Sequence, residues 1–452
     1  MNKTLPILTE LIICIQAFLA CSNSVSYYAA ENITETETIS QKEPAEPDTV
    51  TQEQVAEPDT ILKDTVECDS IAADTTEADT TAPADTTSPA DTTKADTVAI
   101  DTSDQRIVIW GMRSPSNNIY LLYPVKTFLT KFEIGDVVTV EIAGYDTLEM
   151  PIVESTYDVP IAGFLVSAAA GSNYVSLGVN NGTFSDIIGI TDEDELIEVV
   201  MSLKEKGGYL LGIETMRHSL YLDTYRENYP DLSVDDFANF RVVRTTGMGE
   251  NKLYRSSSPI YMYLGRNYYA DSLAKEAGVT TFINFADQEK NAKSYKGFES
   301  TYYSTQNTIF LGVPPEFFSS SFQDGLVKGL RYMIEHEGPY LVHCTYGMDR
   351  TGFSIAVLEA LMGATAEEIQ TDYSKTFRNF YNVVDGRHIA LSEEQIDFFN
   401  AVVLRNLKAV YHAKGVDIPN SGDVDWANAT EQFLEKLGMT PQEISDLKDR
   451  LK

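Results

Sequence analysis

The sequence predicts an α/β fold: a domain built on a central, mainly parallel sheet flanked by helices, preceded by a small β-rich domain. Three observations lead there. From about Arg241 onward, strand-like and helix-like runs alternate, the pattern of a parallel sheet with covering helices. Between Arg106 and Ile190, short β-rich runs are broken by Gly, Asn and Asp. Ahead of both, residues 31–104 are Thr, Asp, Ala, Pro and Glu with almost no aromatics, a composition unable to bury enough apolar surface to offset its ordering entropy.

Taken in order, the chain opens with Lys3 and the apolar run LIICIQAFLA (Leu11 to Ala20), too short to span a bilayer comfortably. Residues 1–20 therefore read as an export signal. FLAC (Phe18 to Cys21) resembles a bacterial lipobox, in which Cys21 is lipidated, although Phe18 stands where Leu is usual. A plain signal peptide cut near Ala29 or Ala30 is the alternative. The expectation is an exported protein of the bacterial cell envelope, touching a membrane only through its N-terminal lipid.

Residues 21–104 form the next segment. The net charge is -34, and between Glu31 and Asp104 there are 20 acidic residues against three lysines, half of the excess. The degenerate repeat ADTTEADTTAPADTTSPADTTKADT predicts a self-repelling, extended spacer or stalk. The rest of the chain is moderately acidic and has no basic stretch, which argues against a nucleic-acid partner. An acidic surface repels anions at long range, so any phosphate site must work locally.

The β-rich segment spans residues 105–195. RIVIW, YLLYPV, DVVTVEIAGY, TLEMPIV and VSAAAGSNYVSLGV supply its strands, with turns at Gly135-Asp136 and Gly144, and predict a small barrel or sandwich. Asp192 to Lys206 reads as an amphipathic helix with Leu196, Ile197, Val200 and Leu203 on one face. The α/β domain is assigned to residues 196–452. In it, KLYRSSSPI, VTTFINFAD, NTIFLGV and PYLVHC are strand-like. DSLAKEAG is helical up to Gly278, and Phe322 to Glu337 forms a helix with Gly338 as its C-cap. RTGFSIAVLEALMG is a helix stopped by Gly363. Leu391 to Lys452 gives two or three packing helices, the last starting at a Thr-Pro N-cap.

The chain has four cysteines, Cys14, Cys21, Cys68 and Cys344, and only Cys344 lies in a stretch expected to fold. A disulfide framework is therefore not expected. Cys344 belongs to HCTYGMDRTG (His343 to Gly352), placed between an apolar strand and an apolar helix. Such a turn can curl so that backbone N–H groups form an anion-binding nest, reinforced by the helix N-terminus. Gly347 permits a conformation other residues resist. Arg350 offers a planar fork to two phosphate oxygens. Cys344 at the floor of this cup is favoured as thiolate and set for in-line attack on phosphorus. Thr351 can donate its hydroxyl to the sulfur, His343 can fix the loop and tune the thiolate, and Asp349 can protonate the leaving oxygen. The spacing Cys-x5-Arg alone is weak; the ten residues together, in a strand–loop–helix context, are specific.

The segment resembles the signature loop of cysteine-dependent phosphatases, and more closely that of the bacterial tyrosine phosphatase family whose loop reads HCxxGKDRTG. LYRSSSP, GVTTFINFADQEK and EALMGATAEEIQTDYSKTFRNFY are similar to further stretches of that family, so the likeness runs from about Arg241 to Lys452. Arg106 to Ile190 is similar to an N-terminal extension found with some members. The resemblance implies a dual-specificity-like protein tyrosine phosphatase working in two steps through a phosphocysteine, without metal or other cofactor. Cys344 would be nucleophile and Arg350 the phosphate ligand. Thr345, Tyr346, Gly347, Met348 and Asp349 would lend backbone donors, and Thr351 would assist hydrolysis. The substrate would be a phosphorylated protein or a small phosphate ester.

The general acid is open. No Trp-Pro-Asp loop is present: the 2 tryptophans are Trp110 and Trp426, and IFLGVPPEFF offers Glu316 but no Asp. Asp349 is the first candidate and Asp287, ending FINFAD, the second, with a surface or capping role for Asp287 as the alternative. Arg255 in LYRS would orient the loop or the substrate, or else form a structural salt bridge. Met348 stands where the family has Lys. With Tyr346 it is expected at the rim, favouring flat aromatic phosphates over polyanionic lipids. A phosphoinositide or inositol phosphate phosphatase would need more Lys and Arg than the single Arg350 of this loop. A non-catalytic phosphate-binding module would be marked by loss of Cys344, Arg350 or Thr351, and all are present.

Overall fold

A computed structural model of the chain describes residues 105–452, apart from 115–117, 191–195, 219–223, 381–382, 385–386 and 420–422. The expected export signal, Cys21 and the acidic spacer lie outside the described residues.

The β-rich segment is a closed barrel. Its strands are β1 (Arg106–Arg113), β2 (Ile119–Pro124), β3 (Val137–Ile142), β4 (Leu148–Val153), β5 (Phe164–Ser167), β6 (Tyr174–Val179) and β7 (Leu196–Glu205). They follow one another around the barrel as β1-β2-β6-β5-β4-β3-β7, and β7 closes back onto β1 with Arg106 opposite Ser202 and Met112 opposite Leu196. Neighbours run antiparallel except β4 and β5. Alternate side chains such as Ile109, Leu121, Val140 and Ile152 fill the interior.

Strand β7 corrects two sequence expectations. Residues 192–206 do not form a helix along their described length, and the domain boundary does not fall after residue 195, because β7 completes the barrel. The reason lies in the pattern LIEVVMSLKE. A helical face would bury Leu196, yet that residue is 46% exposed, while Ile197, Val199, Met201 and Leu203 are all buried at a spacing of two. Burying a large apolar side chain is worth roughly 1.5–3 kcal/mol, so four inward residues outweigh a helical face that leaves Met201 out. Closure also removes two open strand edges. The helix that follows is α1 (Leu210–His218).

The second sheet is built from β8 (Arg241–Val242), β9 (Leu253–Ser256), β10 (Thr281–Asn284), β11 (Asn307–Phe310) and β12 (Tyr340–His343), in the order β11-β10-β12-β9-β8. β9, β10, β11 and β12 are parallel, and β8 is an antiparallel edge. Every residue of β9, β10 and β12 is buried, as expected of a parallel sheet covered on both faces.

The covering helices are α2 (Asn267–Glu276), α3 (Ser320–Glu335), α4 (Asp349–Met362), α5 (Ala366–Phe380), α6 (Glu393–Ala413), α7 (Trp426–Lys436) and α8 (Pro441–Leu451). From Thr351 to Met362, α4 is buried on all sides and forms the middle of the main core. It ends at Gly363 in the left-handed conformation, with the Ala364 amide donating to the Glu359 carbonyl at 3.0 Å. Helix α3 departs from expectation: it ends at His336, whose backbone is extended, so Gly338 is not its cap. The Tyr340 hydroxyl of β12 lies 2.9 Å from the Met333 carbonyl and 2.8 Å from that of His336, satisfying the helix end from the strand. Three helices close the chain, and Thr440 and Glu443 make a reciprocal capping box at α8. Among the described residues no helix is long and apolar enough to cross a membrane.

If β7 is the barrel's closing strand, Met201→Asp places a charge in its interior and should lower unfolding stability by more than about 3 kcal/mol. Glu198→Gln, outside on the same strand, should stay within about 0.5 kcal/mol of wild type. Denaturant unfolding of the two variants checks this.

Candidate active site

Strand register gathers the site. Ser256, His343, Asn284 and Phe310 face one another across neighbouring strands at their C-terminal ends. The segments that follow each of them therefore share one edge, where open parallel sheets hold ligands. Cys344 begins the loop after β12, 2% exposed, and α4 starts at Asp349.

The loop's curl comes from how its carbonyls are held. The Ser258 amide donates to the Thr345 carbonyl at 3.1 Å. The Asn239 side-chain amide donates to the carbonyls of Tyr346 and Gly347, each at 3.2 Å. Arg255 Nη2 donates to the Gly347 carbonyl at 2.9 Å. In a trans peptide the N–H points away from the C=O. Tying back these carbonyls turns the N–H groups of Tyr346, Gly347 and Met348 toward the opposite side, into the cup over Cys344. Gly347 has φ +69°, and a Cβ there would lie 2.1 Å from the Ser256 carbonyl oxygen, so glycine is required twice over.

Arg350 closes the cup. Its Nη1 donates to the carbonyls of Val313 at 2.9 Å and Phe285 at 3.2 Å, and its Nη2 to the Thr345 hydroxyl at 3.3 Å. Three of a guanidinium's five N–H donors are so occupied, which orients the ring and leaves two for an anion. Helix α4 directs its N-terminus at the same place.

Behind Cys344 runs a buried polar chain. Asn284 donates to Asp287 and to the Tyr303 hydroxyl, both at 3.1 Å. The Tyr303 hydroxyl lies 3.1 Å from His343 Nε2, and His343 Nδ1 lies 3.3 Å from the Cys344 carbonyl. Burial lowers the His343 pKa to about 4, with Arg350 adding and Asp287 opposing. The imidazole is neutral at pH 7, so it holds the loop by hydrogen bonds and lends the sulfur no positive charge.

Asp349 is half-buried in the first turn of α4. Burial raises its pKa to about 6, against the pull of Arg350. Asp287 is buried, and its two oxygens accept one each from Asn284 and, at 2.7 Å, from the Tyr295 hydroxyl. Its surroundings are those of a structural acceptor.

Two expectations need correction. Met348 is not at the rim: it is 4% exposed and packs in the main core, so its thioether does not face a substrate. The curl that turns the Met348 amide into the cup sends the side chain the other way. The Thr351 hydroxyl is buried and, among the described residues, donates neither to the sulfur nor to any other acceptor.

Beneath the loop, Arg255 was singled out in the sequence as orienting the loop or forming a salt bridge, but its partners Arg241, Asp372 and Glu359 were not. Arg255 and Arg241 both bind Asp372 of α5, Arg241 through Nε at 2.7 Å. Burial pushes the Asp372 carboxyl up, but the two guanidiniums override it and hold it at about 2. Glu359 of α4, buried beside them, is pushed well above the usual carboxylate range by burial and by Asp372. At the rim, Tyr346 was expected, but the tyrosines near it were not. Tyr346 feels Tyr261, Asp349 and Cys344, and Tyr261 packs edge-on against Tyr263 and Tyr295 at 5.3 and 5.6 Å. Isolated tyrosines carry no signal in one sequence; the DY pair containing Asp372 was visible but its partners were not. Among the described residues no cluster of three His, Cys, Asp or Glu could hold a metal ion.

Gly347→Ala should be severely impaired, losing at least about 100-fold in turnover, since the loop must leave Ser256 to admit the methyl. Gly278→Ala, where a Cβ meets open space, carries the same φ penalty of about 1 kcal/mol and should keep its activity. Steady-state kinetics alongside thermal melting separates the two.

The model of the tyrosine phosphatase family matches residues 250–452. No curated protein matches the chain. A solved structure, an uncharacterized conserved protein from Thermotoga maritima, shares 19% identity over 22% of this chain and 36% of that one, with a TM-score of 0.19, and bears no weight for the fold. Residues 250–452 belong to the tyrosine phosphatase family.

Proposed function

We propose that the chain hydrolyses phosphate monoesters, phosphotyrosine foremost, through a phosphocysteine on Cys344. The observation that carries the reading is the cup itself: a cysteine under inward-turned amides, a helix N-terminus and an arginine held with two donors free. In the first step the Cys344 sulfur attacks phosphorus, and the P–O bond to the leaving group breaks. Asp349 delivers its proton to the departing oxygen. In the second step water attacks the phosphocysteine, Asp349 takes the water's proton, and the S–P bond breaks to release phosphate and the cysteine. Arg350 and the loop amides hold the equatorial oxygens, where negative charge is stabilised in both transition states.

Asp349 is favoured over Asp287 as the acid because burial raises its pKa to about 6, whereas each Asp287 oxygen already accepts a structural hydrogen bond. Preference for an aryl ester is supported by the tyrosines at the mouth and no longer by Met348. Phosphoinositide or inositol phosphate turnover exceeding that of phosphotyrosine peptides would overturn the substrate assignment.

Cys344→Ser should abolish turnover while still binding phosphate. Asp349→Asn should lower kcat on phosphotyrosine by about 10²–10⁴-fold. It should lower it less on para-nitrophenyl phosphate, whose leaving group needs no proton. Because the pKa of Asp349 is raised to about 6, the acid is protonated below that value and lost above it. The kcat for phosphotyrosine should therefore fall as pH rises through about 6, and Asp349→Asn should flatten that limb. Full turnover by Cys344→Ser would falsify the covalent route.

A further inference from the structure

The barrel has no assigned role. We infer that it acts in the reaction through two positioning residues, Phe164 of β5 and Phe318 of the segment between β11 and α3, which hold the Val313 carbonyl against Arg350. The inference rests on Arg350 being the phosphate ligand.

The segment Leu311–Ser319 belongs to no strand or long helix and contains Pro314 and Pro315. Its start is tied to the site: the Val313 amide donates to the Phe285 carbonyl at 3.1 Å, and both the Val313 and Phe285 carbonyls accept from Arg350 Nη1. Its end is held by two adjacent phenylalanines facing opposite ways. Phe317 is 2% exposed and stacks on Phe353 of α4 with ring centroids 4.4 Å apart. Phe318 packs against both the main core and the barrel core, its ring 6.0 Å from that of Phe164. Phe164 is in turn edge-on to Phe184 of the barrel at 5.7 Å. The segment is thus clasped between two packed bodies.

The barrel is fixed independently of this contact. Ala162 is buried in the main core, Asn406 of α6 donates to the Ile161 carbonyl at 3.1 Å, and Tyr209 packs edge-on against Phe398 at 5.8 Å. An anchored barrel gives Phe318 a firm backing. Beside that contact Phe318 borders a crevice lined by Gly182, Ile187 and Lys414, which offers the segment little other backing. A shifted Val313 carbonyl turns the guanidinium, and the two donors left for phosphate no longer point into the cup. A misplacement near 1 Å is enough to cost up to about 100-fold.

The test uses the full chain. Phe164→Ala, Phe318→Ala, their double variant and Phe318→Leu are compared with Tyr209→Ala, which removes one anchor away from the segment and leaves those at Ala162 and Asn406 in place, and with Arg350→Lys. Inhibition by inorganic phosphate and the KM and kcat for para-nitrophenyl phosphate are measured, with thermal melting as the fold check. Either phenylalanine variant should raise the phosphate inhibition constant and KM about tenfold, with kcat changed less. The double variant should be no worse than Phe318→Ala alone, since Phe164 acts on the segment through Phe318. Phe318→Leu should recover most of the loss, and Tyr209→Ala should keep wild-type phosphate inhibition. Unchanged phosphate inhibition in folded Phe164→Ala and Phe318→Ala, or an equal loss in Tyr209→Ala, overturns the inference while Arg350→Lys still weakens phosphate. If Arg350→Lys leaves phosphate inhibition intact, the premise about Arg350 is what fails.

Discussion

Everything at the site depends on Gly347 lying against the backbone of Ser256. A hydrogen in place of a Cβ lets the loop after β12 press onto the end of β9, and only then can Arg255 reach the Gly347 carbonyl. Arg255 is itself 1% exposed. A guanidinium so buried costs several kcal/mol unless paired, and Asp372 on α5 supplies the charge while Thr376 accepts at 3.3 Å. The loop, the strand beneath it and the helix beyond are thereby one rigid unit, so the cup's shape does not wait for a ligand to form it.

The electrostatics of this unit are set by environment more than by residue type. Asp372 and Glu359 are neighbouring carboxyls, yet the two arginines hold the first below the usual carboxylate range while burial pushes the second well above it. Burial likewise favours the neutral form of His343. With Glu359 biased toward its neutral form, the two guanidiniums outweigh Asp372 under the loop. That matters in a chain of net charge -34, which repels anions from a distance. Surface repulsion is screened beyond about 8 Å at physiological salt, while the buried cluster is not, so attraction begins where the substrate is already close.

Much of this was legible in the sequence, and the failures have identifiable causes. The loop was readable because its chemistry is contiguous: Cys344, Gly347 and Arg350 fall within seven residues whose spacing means something only together. The helices of the second domain were readable from apolar spacing and caps such as Thr440 and Gly363. Strand β7 was misread because LIEVV satisfies both periods at its start, and only the downstream partners of Met201 and Leu203 decide between them. Met348 was misplaced because its direction follows from the local curl of the backbone, a tertiary property. The partners of Arg255 under the loop were invisible for a third reason. Asn239 with Arg241, Glu359 and Asp372 come from separate stretches, and no spacing in one chain announces that they meet.

Helix α4 carries two duties that most proteins assign to different elements. Its first turn faces the cup, and its remaining length is the centre of the main core. Sites that bind and release ligands usually sit in the least stable parts of a fold, where local opening is cheap. Here the loop runs into a helix whose remaining turns are packed in the core, so loosening it disturbs more than a surface loop would. Backbone protection around Arg350 is then expected to exceed that of an ordinary binding loop. Motion needed to admit substrate or release phosphate must come from the surrounding side chains and segments, while the cup itself stays still.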